Sequence, residues 1–295
     1  LSMAHTLLVG TAEMEITPPV GTLMAGALQL RASTGVADPL MMKALVLDDG
    51  RTRLAYVIFD LVALDRGFDL RASTAASTLT GIPAEQIISS CTHTHNGPCT
   101  IPLFPSTIPD PVDHAWLDRV IEQFAGCVRQ ADDAKQPMRV RRARGYRCDL
   151  AHNRRLRYKD GRELNTWLLD CGEDAVQSLG AAGPIDPEIG ILAFEDLQGT
   201  PQAVLFQFTL HANSRWGSLF SGDYPAVVAA RLRERYGTQL VTLFMPGACG
   251  DQNPVRDTRA LGDALAETII AKLDVQPPVM VEPTLGIRTT ELRVP

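Results

Sequence analysis

Three histidines of this 295-residue chain stand where they could bind one metal ion. His93 and His95 lie two residues apart in SSCTHTHNGPCT (residues 89–100), and His211 follows the apolar run LFQFTL. In an extended chain, residues two apart point to the same side, and His211 could complete a set of three. Neutral imidazole is a favoured zinc ligand. A hydrogen-bonded pair of turn histidines is the alternative for His-x-His by itself, and the third histidine favours a zinc (Zn²⁺) site.

Acidic residues occupy comparable positions. Asp60 and Asp251 follow apolar runs at the point where each gives way to a loop, and Asp223 opens a later helix. Ligands of open α/β sheets bind beyond the carboxyl ends of the strands. If these strands are parallel, we expect the histidines and the carboxylates to converge on one edge of the sheet.

The elements that must position these residues are strands and helices, which alternate along the chain and are identified by the spacing of their apolar residues. RLAYVIFDLV (53–62) is typical of a buried strand, a helix is predicted at 68–81 and a strand at 85–91, so 53–91 forms a βαβ unit. Further helices are predicted at 111–131, 223–235 and 257–273, and further strands near 137–147, 189–196, 201–210, 239–245 and 284–293. This order predicts an α/β fold, a mixed sheet with helices on its faces in a single domain.

Composition restricts the class of partner. The net charge of -6, from 28 basic and 34 acidic side chains, argues against nucleic-acid binding. The most basic run, RVRRARGYR (139–147), is typical of the solvated face of an edge strand, and a phosphate or carboxylate contact is the alternative. Six cysteines without a C-x-x-C pair favour a reducing compartment such as the cytoplasm, although a removed leader would leave no trace. No apolar run approaches the ~20 residues that span a bilayer, so we expect no integral membrane segment.

The segment THTHNGP (92–98) resembles the T-H-T-H-S-G-P signature of the neutral/alkaline ceramidase family, zinc-dependent amidases that cut the N-acyl bond of ceramide. The similarity continues in chain order through VGTAEMEITPPVGTLMAGA, YVIFDL, HNRRLRY, DPEIGILAFED, FTLHANS with FSGDYPAVVAARL, and FMPGACGDQNP. The colinear order carries the resemblance. It implies that residues 1–295 are a ceramidase-like metallohydrolase domain, without a C-terminal segment that completes the site.

The resemblance also implies roles for single residues. His93 and His211 would bind the zinc ion, and His95 would face the carbonyl or the leaving group of the substrate. Arg154, in the Asn-Arg pair, would position or polarise the substrate. Three carboxylates are expected in the pocket or beside the metal ligands: Asp60, Asp223 and Asp251.

Two departures from the family pattern bear on mechanism. Asn253 stands where the family's Gly-Asp-x-Ser-Pro segment carries its proposed serine nucleophile, and an amide cannot act as a hydroxyl nucleophile. We therefore expect attack by zinc-activated water, with Asn253 or a backbone N–H stabilising the oxyanion and Asp251 or His95 as general base. The family also draws a glutamate and a tyrosine ligand from beyond the counterpart of Pro295, so His95 or an aspartate could complete the shell here.

The sequence thus predicts a zinc-dependent hydrolase of an amide or ester bond, with a small-molecule or lipid-like substrate. The loop 96–111 carries apolar side chains that could wall an acyl pocket or simply cover the core: Ile101, Leu103, Phe104 and Ile108. Two alternatives stay open. One is a catalytically inactive, ceramidase-like binding protein. The other is a hydrolase whose nucleophile is Cys249, activated by a helix N-terminus and His211.

Overall fold

A nine-stranded mixed sheet and four α-helices organise the chain, within the residues that the computed structural model describes: 6–166, 178–275, 280–281 and 283–290. The strands are β1 Thr6–Glu15, β2 Leu23–Met24, β3 Arg31–Ala32, β4 Gly35–Val36, β5 Met41–Asp48, β6 Arg53–Phe59, β7 Ile87–Cys91, β8 Gln136–Tyr146, β9 Ala151–Asn153, β10 Arg155–Tyr158, β11 Glu163–Asn165, β12 Ser178–Ala181, β13 Glu188–Glu195, β14 Pro201–Phe208, β15 Leu219–Phe220, β16 Val241–Pro246, β17 Gln252–Pro254 and β18 Met280–Val281. The helices are α1 Arg66–Thr80, α2 His114–Asp133, α3 Tyr224–Tyr236 and α4 Thr258–Leu273, and a 3₁₀ turn spans Ala84–Gln86.

The sheet has the order β16-β14-β13-β8-β1-β5-β6-β7, with β18 beside β8. The pairs β6–β7 and β14–β16 are parallel, and the other neighbours are antiparallel. The α/β class, the mixed sheet and the βαβ unit formed by β6, α1 and β7 are therefore confirmed. The prediction of an edge strand at 139–147 is wrong, because β8 lies between β13 and β1 and buries Arg141 against Glu195.

Each helix pair covers one half of the sheet. Aspartates cap the N-termini of α1 and α2, where Asp65 accepts from the Phe68 N–H and Asp113 from the Trp116 N–H. The apolar faces of α1 and α2 pack on β5 and β6, and those of α3 and α4 pack on β13, β14 and β16. A third apolar cluster joins Leu45 and Ile58 of one half to Val241 of the other, so the sheet folds over itself between the helix pairs.

This folding corrects the premise that the site strands all run in parallel. Five antiparallel pairings separate β14 from β6, so β6 and β7 oppose β14 and β16 in sense. Each pairing adds roughly 20–25° of twist, which sums to roughly 100–125° across the five. The two halves also cross-link, since the Lys43 Nζ of β5 donates to the Thr242 carbonyl of β16 at 3.0 Å. Twist and folding, rather than shared direction, bring the strand ends together.

Smaller differences concern the ends of the chain and the short strands. No strand occupies residues 283–290, so the predicted strand at 284–293 is wrong for that part, and 291–293 lie outside the described residues. Sequence analysis did not identify β5. None of the described helices combines the length and the apolarity needed to cross a bilayer.

Candidate metal centre

The rings of His93, His95 and His211 form one cluster. The ring centroids are 5.0 Å apart for His93 and His95, 4.9 Å for His93 and His211, and 5.4 Å for His95 and His211. Each ring offers one nitrogen to a set whose members all lie within 4.8 Å of one another. Residues 118 positions apart in the chain thus present their side chains to one point.

Each ring is oriented by a backbone carbonyl. The Nδ1 atoms of His93, His95 and His211 contact the carbonyl oxygens of Val62 (2.8 Å), Gly26 (2.7 Å) and Gln252 (3.2 Å), respectively. A carbonyl can only accept a hydrogen bond, so each contact places a proton on Nδ1, and a neutral ring then keeps its lone pair on Nε2. As neutral rings, the three histidines would offer three Nε2 acceptors.

The spacing of these nitrogens fits a zinc ion. The Nε2 atoms of His93 and His95 are 3.4 Å apart. Two ligands of a tetrahedral zinc, with Zn–N bonds of about 2.0–2.1 Å, stand about 3.3–3.4 Å apart. Three acceptors that face one another without a proton between them repel, and a cation at their centre removes that repulsion. The donor set and its geometry thus suit a metal ion.

Burial keeps two of the rings neutral. Burial lowers the pKa of His95 to about 3, and electrostatic interactions with His93, His211 and Arg154 lower it further. Burial likewise lowers the pKa of His211 to about 4, with His93 and Arg154 as further causes. A histidine must be unprotonated to bind a metal. His95 and His211 meet that condition at neutral pH.

The backbone at His93 differs from the extended segment expected from the sequence. His93 has φ 63°, in the left-handed region, which costs a residue with a Cβ roughly 1–2 kcal/mol. Two hydrogen bonds hold the turn: the His93 N–H donates to the Leu61 carbonyl and the His95 N–H to the Ala212 carbonyl, both at 3.0 Å. The turn makes the rings face each other. Such local strain is typical of functional sites.

Asp223 supports the loop that follows His211. Its carboxylate accepts hydrogen bonds from the Ser214 hydroxyl, from the Arg215 N–H at 2.9 Å and from the Tyr224 N–H at 2.7 Å, which caps α3. The side chain is fully buried, and burial raises its pKa. Asp223 has φ 59° and ψ -154°, a region that essentially only glycine adopts. It therefore holds the 211–215 loop, which begins with His211, against α3.

The turn before Asp223 also holds the His93–His95 turn. Thr94 Oγ1, between the two histidines, donates to the Ser221 carbonyl at 2.7 Å. Ser221 Oγ donates to Asp38 at 2.6 Å, and the Gly222 N–H donates to the same carboxylate at 2.7 Å. Residues 221–223 therefore connect the two segments that carry the three histidines.

We expect Asp223→Ala to lower the free energy of unfolding by about 3 kcal/mol, since it removes a helix cap and leaves buried donors unpaired. The matched control is Asp257→Ala, which removes the exposed N-cap of α4, where water can replace the carboxylate. We expect that variant to lose only about 1 kcal/mol. Urea denaturation of both variants measures the difference, and equal losses would refute the supporting role of Asp223.

Asp60 lies beneath the His93–His95 turn and does not join the histidine cluster. Its Oδ2 accepts from the Met41 N–H at 3.0 Å, and its own N–H donates to the Met41 carbonyl at 2.9 Å, which ties β6 to β5. Burial raises the pKa of this carboxyl, and the nearby Lys43 opposes that rise. Asp60 thus anchors the segment whose next carbonyls, of Leu61 and Val62, bind His93.

Asn253 lies in β17, which pairs with β9, and Arg154 and Asp251 lie at the adjoining ends of these two strands. The Arg154 N–H donates to the Asp251 carbonyl at 2.7 Å, and the Asn153 amide donates to Asp251 Oδ2 at 2.8 Å. The adjacent Gln252 carbonyl contacts His211. The charge of Arg154 acts on His95 and His211. The structure therefore brings these three residues beside the histidine cluster.

Two residues at the cluster were missed by sequence analysis. The Arg31 guanidinium donates to the carbonyls of His95, at 3.0 Å, and Gly217, at 2.8 Å. It therefore connects the His93–His95 turn to the loop that follows His211. Gly26 supplies the carbonyl that orients His95 and has φ +88°. A glycine-rich turn at MAGA was visible in the sequence, but nothing there linked it to His95.

Cys249 is buried, and burial raises the pKa of its thiol. Arg154 opposes that rise and Asp251 adds to it. A thiol whose pKa is raised carries little thiolate at neutral pH, which disfavours it as a nucleophile.

Comparisons with known proteins show the fold. No family model matches the sequence, and a search of curated proteins found no match. Two solved structures are similar: neutral ceramidase from Pseudomonas aeruginosa, with TM-score 0.74 and 18% identity over 94% of this chain and 46% of that one, and a ceramidase complexed with C2, with TM-score 0.73 and 18% identity over 94% and 45%. At this identity the similarity establishes a shared fold. The chain spans less than half the length of either structure.

Proposed function

We propose that the chain is a zinc-dependent hydrolase that cleaves an amide or ester bond, by ceramidase-like N-acyl hydrolysis. One observation carries the proposal: three histidines bring one ring nitrogen each to within 4.8 Å of the others, and a backbone carbonyl contacts each Nδ1. The shared fold with ceramidases supports the same class of reaction.

In the proposed reaction, His93 and His211 hold the zinc ion, and His95 either completes the set or faces the substrate. A zinc ion held by these residues would supply Lewis-acid polarisation of the substrate carbonyl and would lower the pKa of a bound water molecule. Arg154 stabilises the negative charge that develops on the carbonyl oxygen, since its own charge already acts on the cluster. Asp251 or His95 would take the proton of the attacking water.

An apolar groove beside His95 suggests where an acyl chain binds. The cavity, of about 290 Å³, is lined by residues 25–30, Cys99, 102–108 and Pro111. Gly26 belongs to its wall and also contacts His95, so the groove adjoins the cluster. Leu103, Phe104 and Ile108 are each about two-fifths exposed there, instead of being buried in the core. These exposed side chains favour the acyl-pocket interpretation of the 96–111 loop.

We expect Phe104→Ser to impair long-chain substrates more than short ones. Each methylene buried against the groove contributes about 0.8 kcal/mol, so loss of this wall should lower kcat/KM for a dodecanoyl amide about tenfold more than for a butanoyl amide. Leu197→Ser is the control, because Leu197 is similarly exposed but lies on the turn between β13 and β14. An equal loss for both chain lengths would show that the loop is only a cover.

The test of the proposed function joins metal content to hydrolysis. Zinc bound to the purified chain is measured by mass spectrometry, and N-acyl amide and ester probes are assayed before and after treatment with a chelator. We expect one equivalent of zinc, hydrolysis that the chelator abolishes, and recovery on addition of zinc. Zinc binding without hydrolysis of any probe would favour the binding-protein alternative, for which Asn253 in the serine position is the specific observation.

The cysteine alternative has its own discriminating result. Hydrolysis that iodoacetamide abolishes and a chelator leaves unchanged would favour Cys249 as nucleophile and would overturn the zinc proposal. The buried position of the thiol argues for the opposite outcome.

A further inference from the structure

Asn253 carries a buried polar atom without a partner. The residue is only 6% exposed, yet its Oδ1 accepts no hydrogen bond from any residue within the described part of the chain. An unpaired buried carbonyl oxygen is costly, and such groups are rare in folded proteins. The neighbouring Asn153 shows the contrast, since its amide donates to Pro184 and Asp251 and its oxygen accepts from Arg155.

Strand pairing fixes the side to which Asn253 points. Gln252 pairs with Asn153, and both side chains reach the 184–186 segment: Gln252 Oε1 accepts from the Asp186 N–H, and Asn153 donates to the Pro184 carbonyl, both at 3.1 Å. Side chains alternate along a strand, so Asn253 points to the opposite side.

The backbone beside Asn253 adjoins the histidine cluster. The Gln252 carbonyl, one residue before Asn253, accepts from the His211 N–H and contacts the His211 ring, both at 3.2 Å. On the partner strand His152 pairs with Asn253, and Arg154, which directly follows β9, donates its N–H to the Asp251 carbonyl at 2.7 Å. We therefore take the unpaired oxygen to face the candidate site.

We propose that Asn253 Oδ1 accepts the N–H of a secondary amide and so makes the site selective for N-acyl amides over the corresponding esters. This inference rests on the proposed function and names its substrate class. An ester places an oxygen where the amide places its N–H, so the buried oxygen stays unpaired and faces a second lone pair. Sites built to bind a donor strongly reject analogues that lack it.

Three matched probes test the selectivity: N-benzylhexanamide, its N-methyl derivative and benzyl hexanoate. With the zinc-loaded chain, we expect kcat/KM for the secondary amide to exceed that for the N-methyl amide by about tenfold to a hundredfold, because only the secondary amide carries the donor. Asn253→Leu removes the acceptor at similar size. We expect it to lower the ratio of secondary amide to N-methyl amide by the same factor, and to lower the ratio of amide to ester as well.

A matched control and a binding assay complete the design. Gln202→Met makes a similar change at the opposite end of the strand that leads to His211, and should leave both ratios unchanged. Calorimetry on the zinc-free chain gives the relative affinities of the amide and the ester without any turnover. Equal kcat/KM values of the unaltered chain for the secondary and N-methyl amides, together with equal affinities for the amide and the ester, would overturn the inference. Hydrolysis of no probe, with amide-selective binding retained, would instead overturn the proposed function and leave the recognition by Asn253 standing.

Discussion

His211→Ala will abolish stoichiometric zinc binding. The ring is one of three that converge, and it alone comes from the half of the sheet that contains β14. Loss of an outer partner of a metal ligand typically weakens binding about 10–100-fold, so we expect loss of a ligand to raise the dissociation constant for zinc by more than about 100-fold. Competition with a chromophoric chelator measures this change directly, and hydrolysis should fall with metal content.

The same variant should lose the stabilisation that zinc confers. A ligand present at 100 times its dissociation constant raises the free energy of unfolding by about 2.7 kcal/mol, so unaltered protein should melt at a clearly higher temperature with zinc. His211→Ala should show almost no such shift. His114→Ala is the control, because His114 is exposed and pairs only with Asp110 at 2.8 Å. If His211→Ala still bound one equivalent tightly, the three-histidine site would be refuted.

Gly26→Ala will displace His95 without touching any ligand atom. A Cβ on Gly26 would lie 2.6 Å from both the Cα and the Cβ of His95, so the backbone of the His93–His95 turn must move. A shift of 1 Å at a reacting group can cost about 100-fold in rate, and we expect a loss of that order in kcat/KM. Overpacking should also destabilise the fold by about 1–3 kcal/mol.

Gly21→Ala separates the two causes of that loss. Gly21 has φ +100° and Gly26 has φ +88°, so alanine is strained at both, but nothing lies within 4 Å of a Cβ at Gly21. We expect Gly21→Ala to lower stability by roughly 1–2 kcal/mol through the backbone alone and to leave kcat/KM and zinc affinity intact. Equal kinetic losses in the two variants would show that contact with His95 is not the cause.

Local sequence was sufficient to predict some of the elements around the site, but not β5, β9 or β17. Asp113 marks a helix start because an aspartate satisfies free N–H groups at an N-terminus, and that effect acts within three residues. The continuous apolar run of β6 and the strand at β7 predict the βαβ unit for a similarly local reason. The histidines could be selected in the same way, since their type and their places after apolar runs are visible without a fold.

The position of β8 shows where local pattern stops being informative. Its alternating arginines are typical of an edge strand, yet β8 lies inside the sheet, and Arg141 is accommodated by Glu195 on β13. The partner that makes a buried arginine acceptable lies 54 residues away. Periodicity reports which side chains share a face, but not which strand lies beside them.

The sequence by itself determined the candidate ligands, the mixed α/β class and the absence of the serine at position 253. Only the tertiary structure decided that the rings meet, although their strands run in opposite senses, and which nitrogen of each ring faces inward. That choice depends on the carbonyls of Val62, Gly26 and Gln252. Every residue carries the same backbone carbonyl, so no side chain signals its use, and only the path of the folded chain brings each one to its histidine.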